Sequence, residues 1–224
     1  MGVHDGHRDR MKKRFLQHGL DNFDDHSVLE LLLFFALPRR DVNPIAHALL
    51  DKFGTLSEVF SAPAESLTTV DGVGENAALL ISLIPQLCRR SMMSEISGET
   101  ILNSSEKAGR YLVPRFFGER DEVVYLLCLD AKYKILNCRK MFRGDVNSAE
   151  VSVRKIIETA LTHNATSVIL AHNHTSGIAI PSTDDQRTTS RINSALKTVD
   201  IILADHIIVA GDDFVSMADS GMIK

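Results

Sequence analysis

The stretch Val168–Asp185, VILAHNHTSGIAIPSTDD, decides how the chain is read. It is apolar as far as Ala171, places histidines at 172 and 174, then crosses a loop with Gly177 and Pro181 to reach Ser182 and Asp185. The apolar run predicts a buried strand, and Ser182 followed three residues later by an acid predicts a helix start. Side chains alternate faces along a strand, so His172 and His174 point one way and Asn173 the other. Both imidazoles can then share one ion, and the first turn of the helix can return the Asp185 carboxylate toward the strand end. Two nitrogens and an oxygen suit zinc and leave a fourth tetrahedral position open for water, as in catalytic zinc sites. The plainer reading makes Ser182 and Asp185 a helix cap and the histidines surface residues. Capping and ligation are compatible, and the spacing leaves both open.

Outward from this stretch, the second half alternates strand and helix patterns. EVVYLLCLD and YKILNCRKMF are apolar, β-branched runs that read as a hairpin, and SVRKIIETALTHN carries Ile156, Ile157, Ala160 and Leu161 at helical spacing. STDDQRTTSRINSALKTV predicts another helix, and DIILADHIIVAG with DFVSMA two further strands. Residues 102–224 therefore read as an α/β domain. Residues 1–92 show only helical patterns. Ser27 with Glu30 has capping-box spacing, Asn43 and Pro44 read as N-cap and first helical position, and Gly54 follows a last turn. Small polar residues in SMMSEISGE make 93–101 the expected linker.

With 44% hydrophobic and 24% charged residues, 224 residues allow one large or two modest globular domains. A net charge of -4 argues against a protein that coats nucleic acid, so such contact has to be local. Cys88, Cys128 and Cys138 are odd in number and lack C-x-x-C spacing, which favours a reducing, cytoplasmic setting. VLELLLFFAL is too short to span a bilayer, so no membrane partner is expected.

In the first half, VDGVGENAALLI places Gly72 and Gly74 after a helix, without a third glycine in dinucleotide-fingerprint register. A helix-hairpin-helix suits it better, with backbone N–H groups approaching a DNA phosphate at a helix N-terminus. Asp71 and Glu75 would repel that phosphate, and a solvated helix surface or protein docking remains the alternative.

His172-x-His174-x7-Ser182-x2-Asp185 matches the zinc motif of JAMM (MPN-type) metallohydrolases, and ILAHNHTSG with PSTDD resembles the RadC branch. LTTVDGVGENAALLISLIPQLCRR and DHIIVAGDDFVSMADSG also look like RadC segments, so the resemblance covers essentially the whole chain. It implies a helix-hairpin-helix domain followed by a cytidine-deaminase-like α/β domain with a mixed sheet. It implies one zinc per chain on His172, His174 and Asp185, with Ser182 steadying the water or the oxyanion. A JAMM glutamate acts as general base at the entry to an early strand, and Glu122 matches it in order and context. The activity implied is hydrolysis of a peptide or isopeptide bond by zinc-activated water. The alternatives are a DNA repair or recombination accessory protein binding through Gly72 and Gly74, and a zinc-dependent nuclease. Two departures stand out: Thr175 replaces the usual proline of H-N-H-P-S-G, and Arg154-Lys155 stands where relatives carry Arg-Glu. Glu150 is read as an N-terminal acid of that helix. Asp205-His206 matches a D-H pair of the family and is assigned a structural or supporting role.

Overall fold

Residues 6–96, 101–144 and 153–223 are described by a computed structural model, in which the chain divides into the units Met1–Cys88 and Arg89–Lys224. The first is helical throughout its described residues: α1 (His7–His18), α2 (Asp25–Ala36), α3 (Asn43–Phe53), α4 (Leu56–Ser61), α5 (Ala64–Leu67) and α6 (Glu75–Ile96). Its core is built on Leu29 and Leu33 of α2, Leu49 of α3, Leu67 of α5 and Ile81 of α6, all fully buried.

Local signals here are partly overridden. The Ser27–Glu30 box does not form; α2 begins at Asp25 after an extended Asp24. The Glu30 side chain is instead buried, taking bonds from His7 Nε2 at 2.9 Å and Asn43 Nδ2 at 3.4 Å. Asn43 is accordingly the first residue of α3, and Val42 holds the cap position. Gly54 ends α3 with φ +96°, a conformation glycine adopts without strain. The expected linker 93–101 is helical as far as Ile96, which ends α6, and residues 97–100 lie outside the described residues. Glu150 also lies outside them.

The second unit holds α7 (Ser105–Leu112), a 3-10 turn (Val113–Phe116), β1 (Val123–Leu129), β2 (Ile135–Arg143), α8 (Val153–Thr162), β3 (Ser167–Asn173), α9 (Thr183–Lys197), β4 (Ile202–Ala210) and β5 (Asp213–Ser216). The strands form one mixed sheet in the order β2-β1-β3-β4-β5. β1 pairs antiparallel with β2 and β3, β3 runs parallel to β4, and β5 closes the edge antiparallel. β3 is buried along its whole length, which explains its unbroken apolar run. Val168 and Leu170 join Val124, Leu126 and Cys128 beneath Ile156 and Ala160 of α8 and Ile192 and Leu196 of α9. Ile169 and Ala171 face the opposite layer with Leu127, Ile207 and Leu112 of α7. Cys128 lies in the first of these cores, its thiol pushed up to about 11 by burial and then by Cys138, which fits a packing residue and not a nucleophile.

Candidate metal centre

β3 ends where the apolar row of its α8–α9 face gives way to histidine. His172 continues the row of Val168 and Leu170 and is 1% exposed. Beyond the strand, His174 keeps the same parity, and its backbone N–H donates to the Val209 carbonyl at 2.8 Å. The chain then turns through Gly177, whose φ of +80° favours glycine, and re-enters helix at Thr183.

Ser182 and Asp185 close that entry as a capping box. Asp185 Oδ2 accepts from Ser182 N at 2.7 Å and Ser182 Oγ at 2.6 Å, while Asp185 N donates to Ser182 Oγ at 3.1 Å. The same carboxylate meets both histidines: Oδ1 is 3.1 Å from His172 Nε2 and Oδ2 is 3.3 Å from His174 Nε2. The two Nε2 atoms are 3.0 Å apart. Capping and convergence on the histidines thus coexist in one residue.

The donor set can be tested against an ion. Bonds of 2.0–2.1 Å to a tetrahedral zinc place ligand atoms roughly 3.3 Å apart. The two Nε2 atoms at 3.0 Å, and the contacts of 3.1 Å to Oδ1 and 3.3 Å to Oδ2, are each close to that spacing, the two imidazoles meeting different oxygens of one carboxylate. His174 Nδ1 lies 3.0 Å from the Ile178 carbonyl. A carbonyl only accepts, so Nδ1 carries a hydrogen, and in the neutral ring Nε2 presents a lone pair to the cluster. Burial raises the Asp185 carboxyl, but the adjoining His172 ring, with the Ser182 hydroxyl and N–H, outweighs it and holds the group well below the usual carboxylate range. An anionic oxygen and imidazole nitrogens turned on one point fit a divalent cation.

Three further buried groups support the cluster. His172 Nδ1 is 2.8 Å from His206 Nε2, and His206 Nδ1 is 2.6 Å from Thr189 Oγ1 on α9. Burial, then the neighbouring His172, drives the His206 pKa well below its ordinary value. Asp205 accepts from Ser216 Oγ and from the backbone N–H groups of His206 and Ala218, fixing the strand that carries His206.

Glu122 precedes β1 and is half-buried. The β1–β3 ladder ends at the Val124–His172 pair, and Glu122, two residues before Val124, shares its parity. Asn173, on the other face, anchors this approach: its Oδ1 accepts from Val123 N at 2.8 Å and its Nδ2 donates to the Asp121 carbonyl at 3.2 Å. Asn173 and Thr189 escaped the sequence reading; the only signal for Asn173 was its place between the two histidines. Thr175 lies exposed in the turn, and Lys155 places its ammonium 5.4 Å from the Phe142 ring centroid.

Gly72 and Gly74 belong to the first unit. Gly72 has φ +87°, and a Cβ there would come within 2.7 Å of Ile45 Cδ1, so the turn requires glycine for backbone and packing reasons. A Cβ on Gly74 would meet nothing within 4 Å.

The fold and the His-His-Asp cluster define a JAB-type domain, the class of JAMM metal-dependent hydrolases. A family model described as RadC-like JAB domain matches residues 102–222. A UPF0758 protein of Fusobacterium nucleatum is 31% identical over 225 residues, covering 97% of each chain. A UPF0758 protein of Janthinobacterium sp. (strain Marseille) is 33% identical over 214 residues, covering 96% of each. The chain belongs to the RadC family. Among its described residues no helix is long and apolar enough to cross a membrane.

Proposed function

We propose that the chain is a zinc-dependent hydrolase of amide bonds, acting on a peptide or isopeptide link. The observation that carries this reading is the cluster of His172, His174 and Asp185, whose candidate ligand atoms all lie within 4.8 Å of one another. These three would hold the ion. Zinc bound there supplies a Lewis acid that brings the pKa of a coordinated water toward neutrality and polarises a carbonyl. Glu122, two residues before the Val124 that pairs with His172, would take the proton of the attacking water and return it to the leaving nitrogen as the C–N bond breaks. Ser182 orients Asp185 through its hydroxyl and N–H; turned outward, the exposed hydroxyl would donate to the reacting oxygen.

Metal content by plasma mass spectrometry, on protein purified without chelator or histidine tag, tests the centre. About one zinc per chain is expected in the wild type and little in His174→Ala. A wild type that is empty and cannot be reloaded ends the reading. A set of peptide and isopeptide substrates, with Glu122→Gln as control, then tests the reaction.

DNA contact through a helix-hairpin-helix has one favourable observation, the open backbone at Gly74 ahead of α6. The exposed acids Asp71 and Glu75 oppose it. It requires salt-sensitive binding to branched or single-stranded DNA that His174→Ala retains and Gly74→Asp loses.

A further inference from the structure

We propose that Thr189 and His206 are positioning residues that set the ring form of His172, through hydrogen bonds that run one way and leave its Nε2 a bare lone pair facing His174 and Asp185. The inference rests on the metal-site reading above and extends it to residues that touch no ion.

The direction of the chain follows from its far end. Thr189 Oγ1 lies 2.6 Å from the backbone oxygen of Asp185, one helical turn back. A carbonyl oxygen has two lone pairs and no proton, so it accepts the hydroxyl proton beside its helical N–H bond. The Met217 sulfur, 3.5 Å from Oγ1, is a far weaker acceptor. A hydroxyl has only one proton to give. Thr189 Oγ1 therefore faces His206 Nδ1, at 2.6 Å, as an acceptor, and Nδ1 bears the hydrogen.

His206 is wholly buried, and neither ring nitrogen is bonded to a carboxylate, so its ring is neutral. A neutral imidazole with hydrogen on Nδ1 has a lone pair on Nε2. That lone pair meets His172 Nδ1 at 2.8 Å and accepts its hydrogen. With a hydrogen on Nδ1, the neutral His172 ring, the form that can hold an ion, has none on Nε2 where it approaches His174 Nε2 and Asp185 Oδ1.

The reverse direction would put a hydrogen on His172 Nε2, in the middle of the cluster, and block an ion. The backbone carbonyl of Asp185 forbids it. One residue thus contributes a carboxylate oxygen to the centre and a main-chain oxygen to the far end of the chain that orients the opposing ligand. This closes a loop through α9, β4 and β3.

Nitrogen-15 NMR of histidine-labelled, metal-free protein near pH 8, where free imidazoles are neutral, reads the ring forms directly. In the wild type, His172 is expected to carry hydrogen on Nδ1 and none on Nε2. Thr189→Val is nearly isosteric and removes the acceptor; the His206 hydrogen is expected to move to Nε2, driving the His172 hydrogen to its own Nε2. Zinc affinity, from chelator competition, should fall about 10- to 100-fold in Thr189→Val and return in Thr189→Ser. A wild-type His172 with its hydrogen on Nε2 and a bare Nδ1 overturns the proposal even if the valine variant does not fold. So does a folded valine variant with wild-type ring forms and affinity. Should the wild type show the expected ring form, and the valine variant the switch, while no zinc binds, the directional chain stands and the metal-site reading falls.

Discussion

Two capping boxes with nearly the same geometry sit in the two units of this chain. At the start of α4, Glu58 Oε2 accepts from Thr55 N at 2.8 Å and Thr55 Oγ1 at 2.9 Å, with Glu58 N returning a bond to Thr55 Oγ1 at 3.2 Å. At the start of α9 the corresponding distances are 2.7, 2.6 and 3.1 Å. Glu58 is exposed, whereas Asp185 is 2% exposed and in contact with two imidazoles. The local motif is thus a helix start in both places. What makes one of them a candidate metal centre is the strand that ends in front of it.

The comparison breaks most visibly at the acids. Asp185→Asn removes the anionic oxygen, and zinc affinity should drop by more than the roughly 100-fold that outer partners of a ligand reach. Glu58→Gln should leave zinc content unchanged, as chelator competition on both variants would show. Equal zinc content in the two variants would mean that Asp185 is only a cap. Glu122→Gln separates chemistry from binding: metal retained, amide turnover down about 10²- to 10⁴-fold. A Glu122→Gln variant with wild-type turnover would remove Glu122 from the mechanism.

The hydroxyls give a finer cut. Thr55→Ala should cost about 1 kcal/mol of stability in a denaturant melt, the usual value of a lost cap. Ser182→Ala should show a similar loss and, in addition, a drop in zinc affinity of about 10-fold or more, because the carboxylate loses its orienting donor. If both alanines affect stability alone, the serine does nothing for Asp185 beyond capping.

How much of this was legible follows the range of each interaction. The helix start at Ser182 and the shared face of His172 and His174 depend on residues a few positions apart, and the sequence displays them. The position of Glu122 depends on pairing with a strand some fifty residues away, so local pattern indicated its context but not its place two residues before the partner of His172. The directional chain joins Thr189 of α9 to His206 of β4, and no spacing rule connects them. At Ser27 and Glu30 the same local rule failed, because long-range partners, His7 and Asn43, claim the glutamate in the core. A capping pattern is thus trustworthy only where nothing distant competes for its acid.

Asp205 supplies the smallest and most discriminating comparison, because it is a second buried carboxylate in the same unit, 5% exposed, but without an imidazole bonded to it. Burial raises its pKa; the Ser216 hydroxyl and the N–H groups of Ala218 and His206 oppose this and do not prevail. The sign is therefore opposite to that of Asp185. A carboxyl with a raised folded pKa contributes stability that is complete below its unfolded value, about 3.9, and lost as pH rises through the folded value. Asp205→Asn keeps an Oδ1 for the two N–H groups and turns an amide donor toward Ser216 Oγ, which accepts. The variant should melt within about 1 kcal/mol of wild type near pH 4 and should gain relative to wild type as pH rises toward 7. A variant that instead loses stability steadily with rising pH would show that the Asp205 charge is wanted in the fold. The same aspartate-to-asparagine change would then be harmful at both sites, and burial beside two imidazoles would no longer set Asp185 apart.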